Sequence, residues 1–220
     1  MAAPLSVFYH TAKIYHGTFE TRIHLLGGHE YSSREPEMTT KKSLVIGVVF
    51  GALVFVVAFL GGFAITSAFG PGTSGVITAT LTSALVVVAG QLAPRFPTLL
   101  TTNLIFAALA IPTSLFGPFG PLKILFGLGT GLIYELCVTV LRRSRISYIV
   151  AAGLSAFVSV YLIYYGSSTI VGKVPTNLEK YLHYFAFVYA ALGALGGYLG
   201  IYLFRRLQNH AVVKRLQEII

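Results

Sequence analysis

Six apolar stretches in residues 41–220 constrain this chain more than any other feature of its sequence. A helix needs about 20 mainly apolar residues to cross the hydrocarbon core of a bilayer, where every backbone polar group must be bonded within the helix. The stretches run over residues 44–66, 74–92, 98–116, 121–141, 146–165 and 181–204, and glycine, proline, serine or charge separates them. They predict an all-α integral membrane protein, a bundle of six transmembrane helices.

The composition agrees, since hydrophobic residues make up 55% and charged residues 10% of the chain, against about 25% charged in ordinary soluble domains. Lys and Arg near a span tend to stay on the cytoplasmic side. They concentrate before the first stretch and then at alternate breaks: Lys41, Lys42, Arg95, Arg142, Arg143, Arg145, Arg205, Arg206, Lys214 and Arg215. Of the other breaks, only 166–180 has basic residues, Lys173 and Lys180. This pattern predicts that both termini are cytoplasmic. The net charge of +9 then reflects topology and attraction to anionic lipid headgroups, and we expect no nucleic-acid partner.

Residues 1–40 differ from the six-helix membrane domain of residues 41–220, because they are polar and hold four of the six histidines. They lack the apolar segment of a signal peptide. The histidine spacings of six, eight and five residues match no ligand motif on one helix face, so we expect no metal site. Met38 directly precedes Thr39, Thr40 and the first stretch, and we hypothesise that residues 1–37 are disordered or absent from the native product.

Groups able to carry catalysis are scarce. The chain has one cysteine, Cys137, and no aspartate, and its acids beyond the extension are Glu135, Glu179 and Glu218. Proteases and phosphotransferases need paired acids, a nucleophile beside a base, or several metal ligands. The sequence therefore predicts a protein that is not an enzyme and that needs no cofactor.

Small residues recur four apart in the first and last stretches. Gly47 and Gly51 form such a pair, and a pair of this kind lets a second helix approach closely. Two interpretations stay open for it: packing within the bundle, or docking to a partner subunit. The pairs Gly193 with Gly197 and Gly196 with Gly200 are interpreted as internal packing.

The fourth stretch has Lys123, Gly127, Gly131 and Glu135 four residues apart along one stripe. Burying Glu135 costs on the order of 3 kcal/mol, so it needs a partner and is a candidate functional residue. The alternatives are a bond from Glu135 to Asn103, Gln91 or a nearby hydroxyl, and a Lys123 side chain that extends to the outer interface.

Aromatic residues with polar groups gather at the outer ends of the last two stretches. The candidate ligand-binding residues there are Tyr161, Tyr164, Tyr165, His183 and Tyr184, with Lys123 and Glu135 from the fourth stretch. Such aromatics are also typical of the interfacial belt. A pocket for a planar, partly polar solute would use the same stacking surfaces and hydroxyls.

This layout resembles the substrate-binding S-component of energy-coupling-factor (ECF) importers over roughly residues 41–206. The similarity lies in the six spans, the Gly47 and Gly51 pair, the loop Phe69-Gly70-Pro71-Gly72, the corner Ala93-Pro94-Arg95-Phe96-Pro97, and Gly117-Pro118-Phe119-Gly120-Pro121 leading into the segment from Gly127 to Glu135. Many members have an Ala-xxx-Ala pair in place of the two glycines. The Met-His start of cobalt and nickel members is missing, which disfavours a metal substrate.

The resemblance implies a subunit of a prokaryotic plasma membrane that binds a small organic nutrient, such as a vitamin, from outside. It would dock through its first helix onto a transmembrane coupling subunit that carries two ATPases, and would hydrolyse nothing itself. The ligand would lie in the outer half, near the candidate residues. Two other functions stay open: a stand-alone secondary transporter or channel that uses Glu135, and a membrane scaffold without a small ligand.

Overall fold

The computed structural model describes residues 40–69, 74–113, 120–171 and 176–208. The chain divides into two compact units, Met1–Glu37 and Met38–Ile220, and every described residue belongs to the second unit. The four histidines of the extension and the hypothesis of a start at Met38 therefore lie outside the described residues.

The described residues form six helices and no strand. The helices are α1 (Thr40–Phe69), α2 (Ser74–Leu92), α3 (Thr98–Ala110), α4 (Leu122–Val140), α5 (Arg145–Val171) and α6 (Thr176–Leu207). Four of them, α1, α4, α5 and α6, are long and apolar enough to cross a membrane. Both α2 and α3 contain a shorter apolar helix segment, Ile77–Leu92 and Thr98–Ala110.

Helix α3 differs from the stretch predicted over 98–116, because the helix ends at Ala110 and a turn follows at residues 111–113. Pro112 explains this end, since proline has no N–H to continue the hydrogen bonding of a helix. With 13 residues, α3 is about 20 Å long, shorter than the hydrocarbon core of about 30 Å. Its two ends must therefore be stabilised within the protein.

The six helices pack as a closed ring. The order around the ring is α1, α2, α6, α5, α4, α3 and back to α1, and α2 also touches α3 and α5. Buried valines and alanines fill the contacts, joined by Tyr148, whose hydroxyl donates to the carbonyl of Gly90 at 2.9 Å. A ring of six helices leaves room for a central cavity.

Glycines bring neighbouring helices close together at several contacts of this ring. On α6, Gly193 meets α5, and Gly196 and Gly200 meet α2, which confirms that these pairs serve internal packing. On α1, a Cβ atom added at Gly51 would lie 2.7 Å from the Cβ of Ile105 on α3.

Gly47 meets the same helix, where an added Cβ would lie 2.7 Å from the Cβ of Thr101. Gly47 and Gly51 are buried, and their stripe is covered by α3 of the same chain. Of the two interpretations open for this pair, the structure supports packing within the bundle. A partner subunit on α1 would contact another face of the helix.

Candidate functional site

A cavity of about 220 Å³ lies inside the ring of helices, and each of the six described helices contributes to its wall. The polar lining residues are Thr78, Thr82, Ser83, Asn103, Thr130, Tyr134, Ser155, Ser159 and Tyr189. The apolar ones are Val54, Gly75, Ala79, Val86, Phe106, Phe126, Ala156 and Ile163. A cavity with apolar walls and a few polar groups that converge on it is typical of a ligand site.

Its polar groups are hydroxyls and one amide, and several of the hydroxyls lie in pairs four residues apart on one helix. Thr78 and Thr82 lie on α2, and Ser155 and Ser159 on α5, so each pair shares a helix face. The Tyr134 hydroxyl hydrogen-bonds the side chain of Ser83 across the α4–α2 gap. Such groups can hold a solute by hydrogen bonds, and they supply no nucleophile activated by a base.

Lys123 of α4 is buried, with only 2% of its surface exposed. Its Nζ donates to the carbonyl of Ala110 at 2.7 Å and, at a shorter distance, to the carbonyl of Thr113. These carbonyls lie at the C-terminal end of α3 and just beyond it, where carbonyls lack helical partners. The Ala110 carbonyl also accepts from the N–H of Thr113 at 2.9 Å. Lys123 therefore caps α3, and it neither extends to the outer interface nor lines the cavity.

Glu135 caps the opposite end of α3. Its Oε1 accepts hydrogen bonds from the backbone N–H groups of Leu99 at 2.9 Å and Leu100 at 3.4 Å. These belong to the first turn of α3, whose N–H groups lack helical partners and carry a partial positive charge. Glu135 thus hydrogen-bonds backbone N–H groups. The sequence alternatives for its partner were the side chains of Asn103 and Gln91 or a nearby hydroxyl.

The stripe on α4 is the contact surface for α3. Between the two charged residues, a Cβ added at Gly127 would lie 2.5 Å from the Cβ of Ala107, and one at Gly131 would lie 2.9 Å from the Cα of Leu100. Lys123 and Glu135 are twelve residues apart, about 18 Å along α4, which matches the length of α3. The stripe therefore clamps the short helix at both ends.

The structure brings the predicted aromatic residues together in pairs. The Tyr161 hydroxyl lies 2.6 Å from Nδ1 of His183, and the rings of Tyr164 and Tyr165 meet edge to face at 5.3 Å. Tyr184 is 67% exposed and contacts Phe185.

The cavity wall contains none of the seven predicted ligand-binding residues: Lys123, Glu135, Tyr161, Tyr164, Tyr165, His183 and Tyr184. The aromatic pairs lie on α5 and α6 away from the lining, and the two charged residues face α3. Their role in ligand binding stays a prediction.

Sequence reasoning did not find the lining residues. The sequence does contain a signal for them, which is a pair of hydroxyl residues four apart inside an otherwise apolar helix. It occurs twice, at Thr78 with Thr82 and at Ser155 with Ser159. Ser and Thr in transmembrane helices commonly bond back to their own backbone, however, and so carry little information about a ligand.

Comparison with known proteins gives one informative result. No family model matches the chain, and no curated protein matches it in sequence. A solved structure described as "Crystal structure of an S-component of ECF transporter" matches with a TM-score of 0.51 and 20% sequence identity. The match covers 83% of this chain and 94% of the other chain.

The match covers nearly all of the S-component, so the likeness extends over the bundle and is not confined to one helical hairpin. Together with the four long apolar helices, it makes the protein an all-α membrane protein. The chain has the fold of an S-component of an ECF transporter.

Proposed function

We propose that this chain is the substrate-binding subunit of an ECF-type importer for a small organic nutrient. The observation that carries the proposal is the cavity inside a closed ring of six helices, in a chain with the S-component fold. A cavity among the helices, lined by polar and apolar side chains, fits a subunit that captures a solute and delivers it to other subunits. The chain would hydrolyse nothing itself, and the energy would come from partner ATPases.

The proposed topology has six spans with both termini in the cytoplasm of a prokaryotic cell. Ser43 donates to the carbonyl of Arg95 at 3.2 Å, so the start of α1 lies beside the turn between α2 and α3. Exposed basic residues occur at both of these places and also in the last turn of α6, at Arg205 and Arg206. A basic end of this kind supports a cytoplasmic orientation for it.

The proposed partners are a transmembrane coupling subunit and two ATPases. Since α3 covers Gly47 and Gly51, the coupling contact would use the outward face of α1, where Val45 and Val49 are 62% and 57% exposed. Exposed apolar side chains in a membrane helix serve contact with lipid or with another subunit.

Co-expression tests this function. The tagged chain would be produced with a coupling subunit and the two ATPases from the same genome, solubilised in detergent and purified through the tag. We expect all four proteins to elute as one complex, and an unrelated membrane protein with the same tag to elute alone. A chain that purifies alone, and that takes up solute into vesicles without ATP, would contradict the proposal and favour a stand-alone transporter.

A further inference from the structure

The cavity has room for one ring with a few substituents. A cavity of about 150 Å³ in another protein holds benzene. The cavity described here measures about 220 Å³. It therefore has room for a six-membered ring and a small polar group.

The lining favours an uncharged ligand. Among the described residues, those that line the cavity are all uncharged. The two buried charges of α4, Lys123 and Glu135, are bound to the ends of α3. A carboxylate or ammonium in the cavity would lose its hydration and find no opposite charge, which is costly in a medium of low polarity.

The hydroxyl groups of the lining are arranged mainly to accept hydrogen bonds. Thr82 donates to the carbonyl of Thr78 at 2.7 Å, Thr130 to that of Phe126 at 2.9 Å, and Ser159 to that of Ala156 at 2.7 Å. A hydroxyl has a single hydrogen, so these three oxygens offer a ligand only lone pairs while they make these bonds. Lone pairs bind N–H and O–H groups of a ligand and repel the oxygens of a carboxylate.

Asn103 adds a donor and an acceptor at one point of the wall. Its Nδ2 donates to the carbonyl of Leu99 at 2.8 Å, which uses one of its two hydrogens. Its Oδ1 is 3.5 Å from the Thr130 hydroxyl, a long contact. Phe106 and Phe126 line the same cavity and provide aromatic surface for a ring.

We infer that the cavity selects an uncharged solute with a single ring and N–H or O–H donors, such as a ring carboxamide, and discriminates against the matching carboxylate. This inference rests on the proposed function, because it names the class of solute that the substrate-binding subunit would capture. The amide would pair its N–H groups with the hydroxyl oxygens and its carbonyl with Asn103.

Two pairs of test compounds have nearly the same shape within each pair but differ in charge. They are nicotinamide with nicotinate, and benzamide with benzoate. Their dissociation constants would be measured at neutral pH by calorimetry on the full chain in detergent, with thermal unfolding as a second readout. We expect each amide to bind at least about tenfold more tightly than its acid, because only the acid brings an unpaired charge. Equal or tighter binding of the acids, or no binding of either amide, would overturn the inference.

Variants identify the groups responsible. We expect Asn103→Ala to weaken amide binding about tenfold and Ser159→Ala to weaken it severalfold, because each removes a polar group from the wall. Thr139→Ala, at an exposed position of α4 outside the cavity, is the matched control. The Ser159 variant removes only a hydroxyl bonded within its own helix, so it keeps the test usable if Asn103→Ala folds poorly. Unchanged amide affinity in Ser159→Ala and in every folded Asn103 variant would contradict the inferred site.

The co-expression experiment separates two kinds of failure. A chain that assembles with the coupling subunit and ATPases but binds neither amide would refute the inferred solute class and leave the proposed function standing. A chain that neither assembles nor binds would refute the proposed function itself.

Discussion

Replacing Glu135 should separate its role in α3 from a role in ion transport. Oε1 of Glu135 accepts hydrogen bonds from the N–H groups of Leu99 and Leu100, and the side chain is 3% exposed. Glu135→Ala leaves both donors buried without this acceptor, and each such loss costs about 1–3 kcal/mol. Glu135→Gln keeps an amide oxygen of the same reach. It loses only the charge, worth about 1 kcal/mol at a helix N-terminus.

The stability order expected from these values is wild type, then Glu135→Gln, then Glu135→Ala. Equilibrium unfolding in mixed micelles of a mild detergent and dodecyl sulfate gives the free energies of unfolding. Glu179 lies exposed in the first turn of α6. Glu179→Gln is therefore the matched control for the loss of a charge alone, and it should lower the free energy of unfolding by no more than about 1 kcal/mol. A Glu135→Gln variant less stable than Glu135→Ala, or an alanine variant as stable as wild type, would refute the capping role.

The same variants test whether Glu135 carries a proton. A glutamine cannot release a proton, so Glu135→Gln would abolish transport if the carboxyl were a carrier. If Glu135 only caps α3, the variant should retain transport of any solute that the wild type moves, in proportion to the amount of folded protein. Loss of transport at normal folded yield would favour the stand-alone transporter.

Three further substitutions follow from the contacts of α1, α4 and α5. Lys123→Met should lower the free energy of unfolding in mixed micelles by about 1–3 kcal/mol, because the Thr113 carbonyl loses its donor and the Ala110 carbonyl keeps only its bonds from Thr113, while Lys180→Met at an exposed position should not. Gly51→Leu should prevent folding, seen as lost monodisperse yield, because its side chain would overlap Ile105. Tyr161→Phe should leave amide affinity by calorimetry within about twofold, because it removes a hydroxyl outside the cavity; a larger loss would return Tyr161 to the site.

Hydropathy was enough to place most of the helices. The stretches predicted over 74–92 and 121–141 agree closely with α2 (Ser74–Leu92) and α4 (Leu122–Val140), because both segments are apolar over most of their length and proline, glycine or charge bounds them. The exception is α3, whose apolar composition continues past the point where Pro112 ends the helix. Apolar composition indicates that a segment is compatible with lipid. It does not indicate the residue at which the hydrogen bonding of a helix ends.

The candidate site was predicted less well, for a physical reason. Tyrosines near the ends of spans are conspicuous in a sequence, whereas the cavity is built from hydroxyls such as Thr82 and Ser159 that bond to their own helices. These hydroxyls matter because they line one cavity from different helices of the ring. A local sequence pattern cannot predict that residues far apart in the chain line the same cavity. The stripe from Lys123 to Glu135 was recognised, but its partners are backbone groups of α3, which every sequence possesses.

The closeness of α3 and α4 can be tested by two glycines of α4 that differ in surroundings. A Cβ at Gly127 would lie 2.5 Å from the Cβ of Ala107 and 2.7 Å from the Asn103 carbonyl oxygen. At Gly129 the nearest atom is Cδ1 of Leu162, 3.0 Å away at the flexible end of a side chain. Alanine in place of a helical glycine gains about 0.5–1 kcal/mol where space allows, and overpacking of a rigid contact costs about 1–3 kcal/mol.

Opposite signs are therefore expected from the two alanine substitutions. Gly129→Ala should leave the thermal unfolding midpoint unchanged or raise it, and Gly127→Ala should lower it. Because Gly127 presses on the part of α3 that carries Asn103, Gly127→Ala should also weaken amide binding in calorimetry, whereas Gly129→Ala should not. Equal shifts of the midpoint in both variants would mean that α3 is not held against α4 as described, and Asn103 would then lack a fixed place in the cavity wall.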